Sequence, residues 1–195
     1  MEKQLDIPYA EGGSADALQK VLQFATAAHG NQRRKYRDEP YIKHPVRVME
    51  TCRSANASQE ILAAALLHDV LEDTEVDEGR MKDFLESIFP EPVALKVLQL
   101  VVELTDIYTK ENYPHLNRRA RKAKELDRIK HTSADAQTIK YADIIDNAPD
   151  TTSSDPGFAV KMLHEYRAML KEITRGDHNL YIRAASTVQN CLKML

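Results

Sequence analysis

The sequence predicts an all-α fold of about eight to ten helices in a single domain spanning residues 1–195. Three observations carry this. Apolar residues recur at helical spacing along most of the chain. No run of alternating β-branched residues and no Asn-Gly hairpin turn occurs. The most apolar stretch, SQEILAAALLHDVLEDT from Ser58 to Thr74, is built of the strong helix formers Ala and Leu. With 195 residues and 43% hydrophobic content, the chain is long enough for one sizeable core.

In order along the chain, residues 1–13 read as a poorly ordered lead-in. Ser14 or Asp16 can cap a first helix that runs to about His29, with Ala17, Leu18, Val21, Leu22, Phe24, Ala25 and Ala28 as its apolar stripe and Gly30 as its stop. The loop NQRRKYRDEPYIK is basic, then acidic. A second helix begins at His44-Pro45, with Pro45 at the first helical position and Val46, Val48 and Met49 inward. Ser54 to Ala57 turn the chain into the central helix, which Ser58 can cap. A helix over about 78–89 follows. Val93 to Leu104 reads as helix from its flanking Ala, Leu, Lys and Gln, with a strand as the other reading. Thr105 to Asn117 is a polar loop, and NRRARKAKELDRIKH is a strongly basic helix. Ser133 and Asp135 cap a helix that carries Ile139, Ala142, Ile144 and Ile145 and ends near Ala148-Pro149. DTTSSDPG is a turn-rich insert, and two helices over 158–175 and 179–194 close the chain.

Composition narrows the function. A formal net charge of -3 gives no general attraction to nucleic acid or to an anionic membrane surface, so an anionic ligand needs a local basic site or a metal. The first residues lack the apolar core of a signal peptide, and no apolar stretch approaches the length of a membrane span. Cys52 and Cys191 lie far apart and read as free thiols in a reducing cytoplasm.

The central stretch turns abruptly from seven apolar residues to His68, Asp69, Glu72 and Asp73. On a continuous helix His68 and Glu72 share one face, and Asp69 and Asp73 pair beside them. Buried charges need a partner or a metal. Two further stretches supply candidates: His44 at a helix start, and Asp143 amid an otherwise apolar helix face. His44, His68, Asp69 and Asp143 together make a mixed nitrogen and oxygen site that suits a divalent ion such as manganese and leaves positions for water and substrate. Taken singly, each has an ordinary role: core histidine, solvated helix tip, buried ion pair. His29, His131, His164 and His178 have no second ligand beside them and keep that ordinary reading.

These words also carry a resemblance. RRKYRDEPYIKHP, AALLHDVLEDT and KYADIIDN resemble the hydrolase domain of the RelA/SpoT type, an HD-domain phosphohydrolase, and its stand-alone relatives. The similarity covers most of the chain. It implies an all-helical HD domain, one manganese ion, and hydrolysis of the 3′-pyrophosphate of a nucleotide polyphosphate such as ppGpp, a small-molecule substrate. By the same resemblance His44, His68, Asp69 and Asp143 are the metal ligands, and Glu72 and Asp73 the catalytic acidic pair. Arg34 and Lys35 lie over the nucleotide, and Lys140 and Asn147 on its phosphate and ribose side. The third motif departs from the family's Leu-Ala-Asp-Arg-Leu-His-Asn-Met-Arg-like run: Asp146 stands in place of the His, and Ala148-Pro149-Asp150 replace residues that line the base pocket. That leaves adenosine polyphosphates open as substrates. The other functions considered are an HD-type nucleotidase or cyclic-nucleotide phosphodiesterase, and a non-catalytic nucleotide-binding module. The basic helix reads either as a solvated, self-paired face or as the mouth of the pocket.

Overall fold

The computed structural model describes residues 13–195, and the expected lead-in falls almost wholly outside them. Ten helices are found there: α1 (Gly13–His29), α2 (Lys43–Ser54), α3 (Gln59–Leu67), α4 (Val70–Asp73), α5 (Glu78–Ile88), α6 (Glu91–Leu104), α7 (Arg118–Ile129), α8 (Ala134–Thr151), α9 (Pro156–Glu172) and α10 (His178–Met194). Among the described residues the one β-type pairing is an isolated bridge between Arg33 and Pro40. It closes the α1–α2 loop into a small hairpin, through Arg34 N–H to the Glu39 carbonyl (3.1 Å) and Tyr41 N–H to the Gln32 carbonyl (2.9 Å). The stretch at 93–104 is helical, as its flanks suggested.

The helix ends follow local chemistry. Gly30 takes a left-handed φ of 51°, which stops α1. Asp77, Asn117, Ser133, Asp155 and Asp177 each accept a first-turn N–H. Ser58 holds the expected cap position, though its side chain makes no capping bond. α2 starts at Lys43, two residues before the expected first position, placing Pro45 third in the helix. Its missing donor costs nothing there, because the first turn's N–H groups have no intrahelical partner. α6 likewise starts at Glu91, with Pro92 in its first turn.

α8 corrects a larger expectation. It does not end near Ala148-Pro149 but runs through Pro149 to Thr151. Proline there forfeits one backbone bond. The last turn is held instead by side chains: Thr151 donates to the Asn147 carbonyl (2.9 Å), and Asp150 pairs with Arg34 (3.0 Å) and with Arg37. The turn-rich insert is accordingly shorter, with Pro156 and Gly157 already in α9.

α3 is buried on every side from Ile61 to Leu67 and forms the centre of a first core built with α1, α2, α5 and α6. A second core joins Ile129 of α7 with α9 and α10. α8 belongs to both. Ala136, Ile139 and Ala142 face the first, while Tyr141, Ile144, Ile145 and Ala148 face the second. Cys52 and Cys191 are both buried and free. Among the described residues no helix is long and apolar enough to cross a membrane.

The second core demands a glycine at 176. A Cβ there would lie 2.6 Å from Tyr141 Cε2 and 2.7 Å from the backbone nitrogen of Thr138, which α8 holds in place. Gly176→Ala is expected to destabilise the fold by about 1–3 kcal/mol, the usual cost of overpacking, in a chemical denaturation measurement. An unchanged unfolding midpoint would show that the segment shifts freely.

Candidate metal centre and nucleotide pocket

Three elements converge where the two cores meet. The first turn of α2 delivers His44 (1% exposed), the end of α3 delivers His68 (3%), and mid-α8 delivers Asp143 (5%). Asp69 follows His68 in a two-residue break: α3 stops at Leu67 and α4 starts at Val70. One donor atom from each of His44, His68 and Asp69 lies within 4.8 Å of the others. Asp143 Oδ1 reaches the same spot, 3.3 Å from His44 Nε2 and 3.9 Å from His68 Nε2. The four expected ligands are brought together.

Both imidazoles are held by the opposite ring nitrogen. His68 Nδ1 donates to the Ala65 carbonyl (2.8 Å), and His44 Nδ1 to Asp146 Oδ2 (2.7 Å). Carbonyls and carboxylates only accept, so each Nδ1 carries a proton and each Nε2 faces inward, offering a lone pair once its ring is neutral. His68 Nε2 is buried with no well-aligned hydrogen bond, Asp69 Oδ2 lying 3.1 Å from it. The surroundings call for positive charge. Burial alone disfavours an imidazolium at His44, yet hydrogen bonds to Asp143 and Asp146 push it up to about 9. Burial likewise opposes ionisation of Asp69 and Asp143, but His68 beside the one and Lys140 beside the other hold both well below the usual carboxylate range. Two nitrogen and two oxygen donors with inward lone pairs fit a divalent metal ion.

The acidic pair sits differently from the continuous helix expected. Asp73 does share a face with Asp69. Tyr41 links the two, its phenol 2.7 Å from Asp69 Oδ2 and 3.0 Å from Asp73 Oδ2. Glu72 reaches the 105–117 loop, where it accepts the Asp106 N–H (3.1 Å). Partial desolvation by the surrounding protein, and then the nearby Asp106 carboxylate, push Glu72 up to about 7, although its side chain still reaches solvent. Burial and the Asp69 charge also raise Asp73.

Beside this centre lies a cavity of about 390 Å³. Arg34 and Lys35 enter it from the α1–α2 hairpin, Asn147 and Asp150 from the end of α8, and Phe158, Met162 and Tyr166 from α9. Arg34 donates to Asn147 Oδ1 (2.6 Å), and Asn147 in turn donates to Asp143, tying cavity to metal centre. The Lys35 ammonium lies between two rings, 5.1 Å from Tyr36 and 5.6 Å from Phe158. Lys140 is not in the cavity wall; its Nζ lies 2.9 Å from Asp143 Oδ2, on the metal side. Of the altered run only Asp150 faces the cavity, while Ala148 is fully buried and Pro149 exposed.

The basic helix resolves toward its ordinary reading. Arg118 pairs with Glu165, Lys122 with Asp106 (3.1 Å) and Arg128 with Glu125, and none of its side chains lines the cavity. Its buried Glu125 accepts the N–H groups of Ile107 and Tyr108 (3.1 Å each), pinning the loop that meets Glu72. His29 stays a core residue, bonded to Gln32 (2.8 Å) with its ring 4.7 Å from that of Tyr41.

Sequence reasoning missed Tyr41, Asp146, Arg47 and the α9 wall. Tyr41 stands one turn before His44 in the word PYIKHP, and Phe158, Met162 and Tyr166 repeat every fourth residue, so both had a readable signal. Asp146 had only the family comparison to mark it.

The fold and this donor set define a class. The family model for the HD domain matches residues 21–169, and the chain belongs to the HD-domain family. Within it, the chain is similar to the guanosine-3′,5′-bis(diphosphate) 3′-pyrophosphohydrolases called MESH1. It is 31% identical to the Mus musculus protein over 169 residues, covering 85% of this chain and 87% of the relative. To the Drosophila melanogaster protein it is 32% identical over 159 residues, covering 79% and 80%. Among solved structures, a metazoan orthologue of SpoT, described as hydrolysing ppGpp, superposes with a TM-score of 0.74 at 24% identity, covering 94% of this chain and 98% of that one, a likeness of fold. A Listeria monocytogenes EGD-e protein superposes with a TM-score of 0.59 at 22% identity, covering 80% and 97%.

His68→Ala and Asp69→Ala are each expected to abolish metal content and turnover, since each removes one of four donors. Elemental analysis of the purified proteins checks this, and stoichiometric metal in active Asp69→Ala protein contradicts the assignment.

Proposed function

We propose that this chain hydrolyses the 3′-pyrophosphate of guanosine or adenosine polyphosphates, releasing pyrophosphate, as one HD domain spanning residues 1–195. One manganese ion is held by His44, His68, Asp69 and Asp143. The observation that carries this reading is the Arg34–Asn147–Asp143 chain of hydrogen bonds, which joins a cationic cavity directly to the metal centre. The similarity to named 3′-pyrophosphohydrolases over most of both chains supports it. The two unpaired, buried cysteines support a cytoplasmic setting.

The residues divide the work. The ion, when bound, acidifies water and offsets charge on phosphoryl oxygens. Glu72, with a pKa near neutrality, takes the proton from the attacking water. The water oxygen bonds to the phosphorus next to the 3′-oxygen, the P–O3′ bond breaks, and the 3′-oxygen leaves as the ribose hydroxyl, taking its proton from solvent. Asp73, held by Tyr41, orients the water. Arg34 and Lys35 hold the nucleotide over the centre, and Lys140 and Asn147 face its phosphate and ribose side. A cationic grip is needed because the protein's net charge repels the substrate.

A manganese-dependent panel of guanosine and adenosine 3′-pyrophosphates, simple nucleotides and cyclic nucleotides, read by product identity, tests the reaction. Pyrophosphate from the first two alone is the expected result. Release of inorganic phosphate from simple nucleotides points to a nucleotidase. Tight binding without product points to a non-catalytic module.

Glu72 sets a pH dependence. Its carboxyl must be ionised to act, so kcat/KM is expected to fall as pH drops through about 7. Asp106→Asn removes a like charge and is expected to move that limb to lower pH. Glu72→Gln and Asp73→Asn are expected to lose roughly 10²-fold or more in rate while keeping metal and nucleotide. Undiminished rates in both would reduce the pair to a helix-end charge cluster.

The cavity wall also predicts weak base discrimination. Strong selection needs buried groups that pair with one base's edge and are left unsatisfied by another. Ala148 and Pro149 present nothing to the cavity, and both Asp150 oxygens are engaged by Arg34 and Arg37. The kcat/KM values for guanosine and adenosine substrates are expected to lie within roughly a hundredfold. A guanine preference beyond about a thousandfold would mean that Asp150 reads the base despite its two arginines.

A further inference from the structure

We infer that Asp146 is a positioning residue of the metal centre, fixing His44 with Nε2 toward the ion and strengthening the hold on a divalent cation through its charge. The inference rests on the metal reading above. Asp146 lies one turn beyond the ligand Asp143 on α8, on the far side of the His44 ring. Its Oδ2 accepts from His44 Nδ1 at 2.7 Å, so it cannot itself be a ligand. The same carboxylate is gripped by Arg47, Nε to Oδ1 at 2.6 Å and Nη2 to Oδ2 at 3.1 Å, and Arg47 is braced by Glu39 (2.8 Å). Arg34 Nη2 lies 4.0 Å away. The Arg47 fork fixes the carboxylate in place, with Oδ2 left to accept the Nδ1–H.

The two imidazoles are thereby held unequally. His68 is oriented by a neutral backbone carbonyl, which no substitution removes, and His44 by a full negative charge. A carboxylate behind a ligating imidazole fixes its tautomer and makes it a better donor, and losing such a partner typically costs about 10–100-fold in metal affinity. Tying α2 to α8 would need only the Arg47 fork. The additional aim of Oδ2 at His44 serves the ring.

The test is a titration of the metal-stripped full chain with Mn²⁺, read from the free-ion electron paramagnetic resonance signal. The native chain is expected to take up one ion. Asp146→Asn, similar in shape but uncharged, is expected to raise Kd about tenfold, and Asp146→Ala toward a hundredfold. In the diamagnetic Zn²⁺-loaded protein, the His44 Nδ1–H proton is expected to give a downfield signal that disappears in Asp146→Ala. A merely structural Asp146 would alter thermal melting without moving that signal. Should Asp146→Ala fail to fold, the Asn variant decides on affinity. Binding within twofold of native in the variants that fold, or a downfield signal that persists in Asp146→Ala, overturns the inference. No uptake by the native chain removes the metal reading, and this inference with it.

Discussion

Asp143 sits in the middle of α8, almost shielded from water, and a carboxylate at such depth persists only where positive charge and hydrogen bonds reach it. Lys140 answers from the preceding turn, Asn147 from the following one, and His44 from α2. Each responder carries a further obligation. Asn147 also receives Arg34, and His44 also needs a partner at Nδ1. The demand made by one buried charge thus spreads outward until it meets solvent-facing groups such as Arg37. The α1–α2 hairpin and the last turn of α8 both take their shape from it.

Much of this was legible beforehand. The all-α architecture followed from the spacing of apolar residues, and the grouping of His44, His68, Asp69 and Asp143 from residue types costly to bury together with the family resemblance. What stayed hidden was set by tertiary partners. The stop after Leu67 was invisible, because His68 and Asp69 keep nearly helical backbone angles and Ala and Leu argue for continuity. The passage of α8 through Pro149 was misjudged because a local rule lost to two arginines more than a hundred residues away. Tyr41 is one of eight tyrosines, and its mark in the sequence is its place a turn before His44.

The basic helix shows why charge composition misleads when read alone. Arg118, Lys122 and Arg128 pair with Glu165, Asp106 and Glu125, and Lys130 just beyond the helix pairs with Asp127. The informative residue in α7 is an acid. Buried Glu125 satisfies two loop N–H groups and so fixes where Asp106 stands. Through Asp106 the helix reaches Glu72 without approaching the cavity. Its link to Glu72 thus runs through the loop it pins and not through the cavity wall.

α8 is shared by both apolar cores, and this ties the chemistry to the folding equilibrium. Helices that each belong to a single core can loosen piecemeal, but a helix wedged between two cannot leave one without disturbing the other. Asp143, Asn147 and Asp150 all lie on it, so the metal centre and one cavity wall share the fate of the most interlocked segment. Occupancy at either place therefore stabilises the whole molecule by mass action instead of stiffening a local patch. The remaining cavity walls come from parts outside that wedge: the hairpin over 31–42 on one side and the exposed start of α9, with Phe158, on the other.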